Sequence, residues 1–323
     1  MRRLFTVLAA MLLLTACAPG GGDASSSIPT ASASVEQSIP GTCTFTDSMG
    51  NTVELEQPPK RVAALLGSYA ETWLLAGGEV VAVTQDAYDE RGLELPEDTV
   101  NLGANQQPDL EALFAAEPDL VLLTPDLDGQ MALRDSLEAA KIPAAWFKVE
   151  TFDDYLTMLK ICTDLTGRSD LYQKNGLDIQ RDIDAAIASV PEGEAPTVLL
   201  LRAYSSGVRA KNSDNIAGAI LKDLGAANIA DSESGLLEDL QMESILAADP
   251  EFIFVTTMGA SQEAALKSLD ELLHSDPAWQ TLTAVKEGRV EVLPKDLFHY
   301  KPNERWAEAY RVLAGLLYPE SFS

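Results

Sequence analysis

Beyond its first forty residues the chain alternates two kinds of hydrophobic pattern, and their order predicts the architecture. Thr44 to Leu55 alternates apolar and polar positions around Asp47-Ser48-Met49-Gly50, which reads as a hairpin. Pro58-Pro59 breaks the chain, and the apolar run Arg61-Val62-Ala63-Ala64-Leu65-Leu66 that follows has the pattern of a strand buried on both faces. Gly67-Ser68 then turns into a helix over Tyr69 to Ala76, with Ser68 as the expected N-cap and Gly77-Gly78 as the stop. Further strands are predicted at Val80 to Thr84, Leu120 to Thr124 and Ala144 to Phe147, with helices at Leu110 to Ala116 and Met131 to Ala140. Strands alternating with helices indicate an α/β lobe built on a parallel sheet.

From Asp153 to about Val190 the period becomes helical and long, broken near Thr166-Gly167-Arg168. The strand and helix alternation then resumes. Strands are expected at Val198 to Leu201, Phe252 to Thr256 and Val290 to Leu293. Helices are expected at Ile216 to Leu224, Met242 to Ala248, Ala264 to Leu273 and Glu304 to Leu317. The two α/β stretches are related: Leu110 to Thr124 aligns with Met242 to Thr256, with identities at Glu111/Glu243, Ala115/Ala247, Ala116/Ala248, Pro118/Pro250 and Thr124/Thr256. A repeat split by one helical segment implies two similar lobes with central parallel sheets, joined by a helix, with a ligand cleft between them. The expected boundaries are 44–152 for the N-terminal lobe, 153–192 for the linking helix and 193–323 for the C-terminal lobe.

The N-terminus adds an address. Arg2 and Arg3 precede an apolar run from Leu4 to Leu14, too short to anchor stably by spanning a bilayer, and Leu14-Thr15-Ala16-Cys17 follows. Residues 1–16 read as a secretory signal and Cys17 as the lipid attachment site. Residues 17–43 read as a flexible tether rich in Gly, Ser, Ala and Pro. The expected location is the cell membrane, lipid-anchored on its extracytoplasmic face, either the outer face of the cytoplasmic membrane or a periplasm. Outside the cytoplasm the remaining cysteines, Cys43 and Cys162, are a possible disulfide or two buried thiols. Asp and Glu number 50 against 23 Lys and Arg, a net charge of -27, which argues against nucleic acid as a partner.

Candidate chemistry then narrows. The only histidines are His274 and His299, too few for a bare metal ion, and no Cys/His cluster suggests structural zinc. GxSxG, GxxxxGK[ST], HExxH and a strand-linked GxGxxG are all absent, so no enzyme is expected. Arg202 follows a strand at the edge where α/β proteins bind ligands, with Tyr204, Arg209 and Lys211 close behind. Phe298-His299-Tyr300-Lys301 follows the last strand; imidazole and phenolate both suit Fe(III), so His299 and Tyr300 are candidate metal ligands through a chelate. Tyr69, Tyr88, Asn105, Gln106 and Asp126 are expected to face the cleft from the first lobe, and Met258 from the second; Trp146 fits either a core or a cleft position.

Lipobox, tether, hairpin, "PPKRVAAL", "AETWLLAGG", "DLEALFAAEPDLVLLT", "LKDLGAANIAD" and "MESILAADPEFIFVT" together resemble the substrate-binding proteins of ABC importers for iron-siderophores, haem and corrinoids. The resemblance implies two lobes on one rigid helix, closing only slightly on a ligand. It also implies a permease with a cytoplasmic ATPase as partners, a monomer, and no cofactor of the protein's own. The ligand it implies is a ferric siderophore, with a corrinoid or haem as alternatives. Glu111 and Glu243 match the family's permease-docking glutamates, one per lobe.

Overall fold

The computed structural model describes residues 41–193, 195–259 and 261–322. The signal, Cys17 and residues 17–40 of the tether lie outside the described residues. Among the described residues no helix is long and apolar enough to cross a membrane.

Strands β1 (Cys43–Thr46) and β2 (Thr52–Leu55) form an antiparallel hairpin, its turn held by the Asp47 carboxylate, which accepts from the backbone N–H of Met49 and Asn51. Next come β3 (Val62–Ala64), β4 (Val80–Val83), β5 (Val100–Asn101), β6 (Leu120–Leu123) and β7 (Ala144–Trp146), an all-parallel sheet in the order β5-β4-β3-β6-β7. The second sheet holds β8 (Thr197–Tyr204), β9 (Gly207–Ala210), β10 (Ala227–Asn228), β11 (Phe252–Thr257) and β12 (Val290–Val292). Its parallel order is β10-β8-β11-β12, with β9 antiparallel on β8. The fold is α/β with parallel central sheets. Buried strands explain the near-continuous Val, Leu and Ala runs: β3 and β6 are buried at every residue.

The sequence repeat is also a repeat of contacts. Asp119 N donates to Arg61 O, and Glu251 N to Thr197 O, both at 2.9 Å. The Asp119 carboxylate accepts from Arg61 N and the Glu251 carboxylate from Thr197 N. Glu117 and Asp249, each just past a helix, take the same left-handed backbone at φ 45 and 38.

Between the sheets runs Phe152–Thr166, started by a capping box in which Thr151 and Asp154 satisfy each other's backbone N–H groups. Such a cap stabilises a helix by about 1 kcal/mol. Gly167 ends it at φ 72, and the path continues through Ser169–Tyr172, a π turn at Gln173–Leu177 and Asp178–Ala188. The apolar face of Phe152–Thr166 joins one core that contains Val62 and Leu120 of the first sheet and Val198 and Phe254 of the second.

Three local expectations change. Ser68 is not an N-cap: the helix is Gly67–Leu75, preceded by extended Leu66, and Gly67 N donates instead to the distant Asp86 carboxylate at 2.7 Å. A Cβ at Gly67 would sit 2.7 Å from Ala87 N, so only glycine allows that approach. Cys43 and Cys162 are free thiols, not a disulfide; both pack as small apolar side chains in the shared core, and burial pushes both thiols up. Finally, Cys43 is the first residue of β1 rather than the last of the tether.

Candidate functional site

Apart from β9, the strands of both sheets run parallel, so their C-terminal ends gather the loops that carry polar side chains. On the second sheet Arg202 sits near the end of β8, opposite Thr256 of β11, and its Nε donates to the Thr256 hydroxyl at 3.3 Å. Met258 leaves β11 one residue past its end and is exposed, its N–H on Ala203 O. His299, Tyr300 and Lys301 follow the short helix Lys295–Phe298 and are half-buried.

These groups share one electrostatic environment. Burial, and then the charges of Arg202, Lys295 and Lys301, hold the His299 imidazole down at about 3, so it is neutral at neutral pH. Burial pushes the Lys301 ammonium down, and Asp126 and Glu150 of the first lobe oppose that shift. Arg202 and Lys301 thus put two cations near a neutral imidazole in an acidic chain, and the carboxylates of Asp126 and Glu150, in the loops after β6 and β7, act on Lys301 from the first lobe. The Tyr300 phenol is pushed up to about 12 by burial and by the Glu90 carboxylate; its ring leans against His299 with centroids 5.3 Å apart. That setting keeps Tyr300 protonated and opposes its service as a phenolate ligand. Among the described residues no cluster of three or more His, Cys, Asp or Glu is arranged to hold a metal ion.

Other expected site residues go elsewhere. Tyr69 is fully buried, its hydroxyl donating to Phe147 O at 2.6 Å, so it belongs to the core and not to the cleft. Phe298 is likewise fully buried, and Trp146 is core under the Arg134 guanidinium, 5.5 Å from its ring centre. Tyr88 is half-buried and packs against the main core. Asn105 is half-buried and its carbonyl accepts from the buried Gln130 amide at 3.0 Å, while Gln106 is exposed. The hairpin at Gly207, with φ 137, turns the chain back along β8. Arg209 therefore lies opposite Arg202, and Lys211 N bonds Leu200 O, back from the strand end. Tyr204 and Arg209 line a separate recess of about 330 Å³ with Val208, Leu236 and Leu240.

Lys148 and Glu150 were missed, although they come directly after the strand Ala144–Trp146 and the strand-end rule reaches them; they pair at 3.1 Å. Glu90 and Arg91 were missed because nothing periodic marks the loop after Asp86–Asp89. Glu111 and Glu243 are exposed, each the second residue of its helix, in Leu110–Ala115 and Met242–Ala248.

The chain is 22% identical over 246 residues to the Fe(3+)-citrate-binding protein YfmC of Bacillus subtilis, covering 74% of each. It is 26% identical over 248 residues to the Fe(3+) dicitrate-binding periplasmic protein FecB of Escherichia coli, covering 74% of this chain and 78% of that one. The crystal structure of an ABC transporter substrate-binding protein from Listeria monocytogenes EGD-e superposes with a TM-score of 0.67 at 23% identity, over 80% of this chain and 99% of that one. The periplasmic binding protein family model matches residues 62–297, across both sheets and the helical path between them, and the chain belongs to that family.

Proposed function

We propose that this chain is the solute-binding lipoprotein of an ABC importer, that it captures a ferric chelate of the carboxylate type, and that it hands the chelate to the permease. Members of the family are binding proteins, and two relatives are named for ferric citrate. The observation that supports the ligand class is the meeting of two cations, Arg202 near the end of β8 and Lys301 in the segment after the helix Lys295–Phe298, with the neutral imidazole of His299 between them in the chain. A ferric citrate complex presents anionic carboxylates outward. Guanidinium and ammonium groups recognise those oxygens, and a neutral imidazole adds a hydrogen bond without a like-charge cost. Cys17 supplies the lipid anchor in this reading, and Glu111 and Glu243 the paired contacts with the permease.

The test is a thermal-shift and tryptophan-fluorescence titration of the mature protein with ferric citrate, a ferric hydroxamate, haemin and cobalamin. Ligand at a hundredfold excess over its dissociation constant adds about 2.7 kcal/mol to the folded state. In a body of this size that raises the melting temperature by roughly 5 °C. Ferric citrate is expected to produce that shift. A shift with haemin or cobalamin alone overturns the ligand class and leaves the fold untouched.

A further inference from the structure

The stretch that carries His299 and Lys301 follows the second sheet in the chain, yet it is tied to the first lobe. Arg91, in the loop after the helix Asp86–Asp89, donates from Nη1 to the Lys301 carbonyl at 3.0 Å and forms an ion pair with Glu71 on the helix Gly67–Leu75. Both partners are sequestered, with side-chain exposures of 9% and 16%. Two residues on, Asn303 is 1% exposed and donates to Ser68 O at 2.9 Å and to the Glu71 carboxylate. Its backbone is left-handed at φ 52, a region asparagine tolerates better than most residues. Glu71 thus receives Arg91 from its own lobe and Asn303 from the C-terminal segment.

We propose that Arg91, Glu71 and Asn303 form a clasp across the lobes that presets His299 and Lys301 as the stationary wall of the ligand site. The ligand-site role rests on the function proposed above; the clasp itself does not. Residues 299–302 lie between the helix Lys295–Phe298 and the 3-10 turn Asn303–Arg305 with no regular structure of their own; the amides of His299 and Tyr300 reach back to Lys295 O, and beyond them the segment is held by Arg91 and Asn303. The grip is polar and buried, and a buried carboxylate stripped of its cation is strongly disfavoured, which makes it selective for one arrangement. Arg91 also keeps a buried Nε without a hydrogen-bond partner among the described residues, so its orientation is set by the two bonds that it does make. Arg202, on β8, makes no such tie to the first lobe among the described residues; its Nε goes to Thr256 of its own sheet. Lobe closure therefore brings Arg202 toward a ligand already seated against Lys301, and these three are positioning residues for that wall.

The experiment compares Arg91→Gln, Arg91→Lys and Asn303→Gly with the parent by amide hydrogen exchange of the ligand-free protein and by fluorescence titration with ferric citrate. In Arg91→Gln, exchange across residues 299–305 is expected to quicken about tenfold or more while peptides from β3 and β6 keep their parent rates. Ferric citrate affinity is expected to fall about tenfold, since the wall must be ordered on binding, with Arg91→Lys in between. Asn303→Gly keeps the left-handed backbone accessible and removes the side chain, so it provides the same readings if Arg91→Gln does not fold. Unchanged exchange in 299–305 overturns the clasp, and faster exchange with parent affinity overturns its positioning role. If the parent itself does not bind ferric citrate, the proposed ligand fails, and the exchange arm still decides the clasp.

Discussion

The Tyr69 hydroxyl donates to the Phe147 carbonyl at 2.6 Å and stands edge-on to the Phe147 ring, with centroids 6.3 Å apart. A tyrosine at the start of the helix after the first central strand thus spends its hydroxyl on the loop after β7. Tyr69→Phe leaves a buried carbonyl without its donor and is expected to cost about 1–2 kcal/mol of stability. Urea unfolding measures that loss. Ferric citrate affinity should not change, and a large change would return Tyr69 to the cleft.

Arg202→Ala removes the guanidinium from the pair Arg202 and Lys301 and is expected to weaken ferric citrate by about tenfold to a hundredfold, since hydrogen bonds to charged groups contribute about 1.5–3 kcal/mol. Asp126→Asn removes a negative charge that acts on Lys301 and should leave that affinity equal or higher. Calorimetric titration distinguishes the two; an affinity lost in Asp126→Asn and kept in Arg202→Ala would place the anion-binding wall on the wrong lobe.

Charge reversal at both Glu111 and Glu243 should abolish uptake in cells and leave ligand affinity in solution intact, because both side chains are exposed and neither carries an ion pair among the described residues. Each single reversal should give a partial loss. Uptake that survives the double variant counts against docking through these residues.

The Asp249 carboxylate accepts from Thr283 N at 2.8 Å and from the Thr283 hydroxyl at 2.7 Å, which hold it below the usual carboxylate range. A depressed carboxylate stabilises the fold above its unfolded value, near 4, and that contribution fades as pH falls through the lower folded value. Asn keeps the left-handed backbone at this position and an oxygen for Thr283, but does not titrate. Between pH 5 and pH 2 the parent should therefore lose more stability than Asp249→Asn, measured by denaturant midpoints; equal slopes would show that the Thr283 bonds do not bias the titration.

The lobes were readable because burial on both faces leaves unbroken apolar runs, as in Val62 to Leu65 and Val198 to Leu201, and because the repeat survives at Glu111/Glu243 and Pro118/Pro250. The site was read less well. Tyr69 and Phe298 follow or precede turns just as cleft residues do, and only the packing shows that they point inward. The short return strand Gly207–Ala210 sets Arg209 beside Arg202 and carries Lys211 back from the strand end; its signal, one glycine after two serines, is weak by itself. Arg91 and Glu71 meet across 20 positions of chain, and Asn303 joins them from beyond the second sheet. No spacing rule links such residues.

The core that passes from Val62 through Leu159 to Phe254 without a break has a mechanical consequence. A hinged carrier surrenders its cargo when its halves swing apart, and the swing itself empties the site. Here the halves share one interior, and opening them widely means tearing buried apolar contacts at about 25 cal/mol for each Å² exposed. A shared interior therefore favours release with little opening, in which an importer competes for the ligand's own contacts while the lobes move only slightly. Release becomes a contest of affinities at a shared mouth, and a ligand held too tightly would stall transport as surely as one held too weakly.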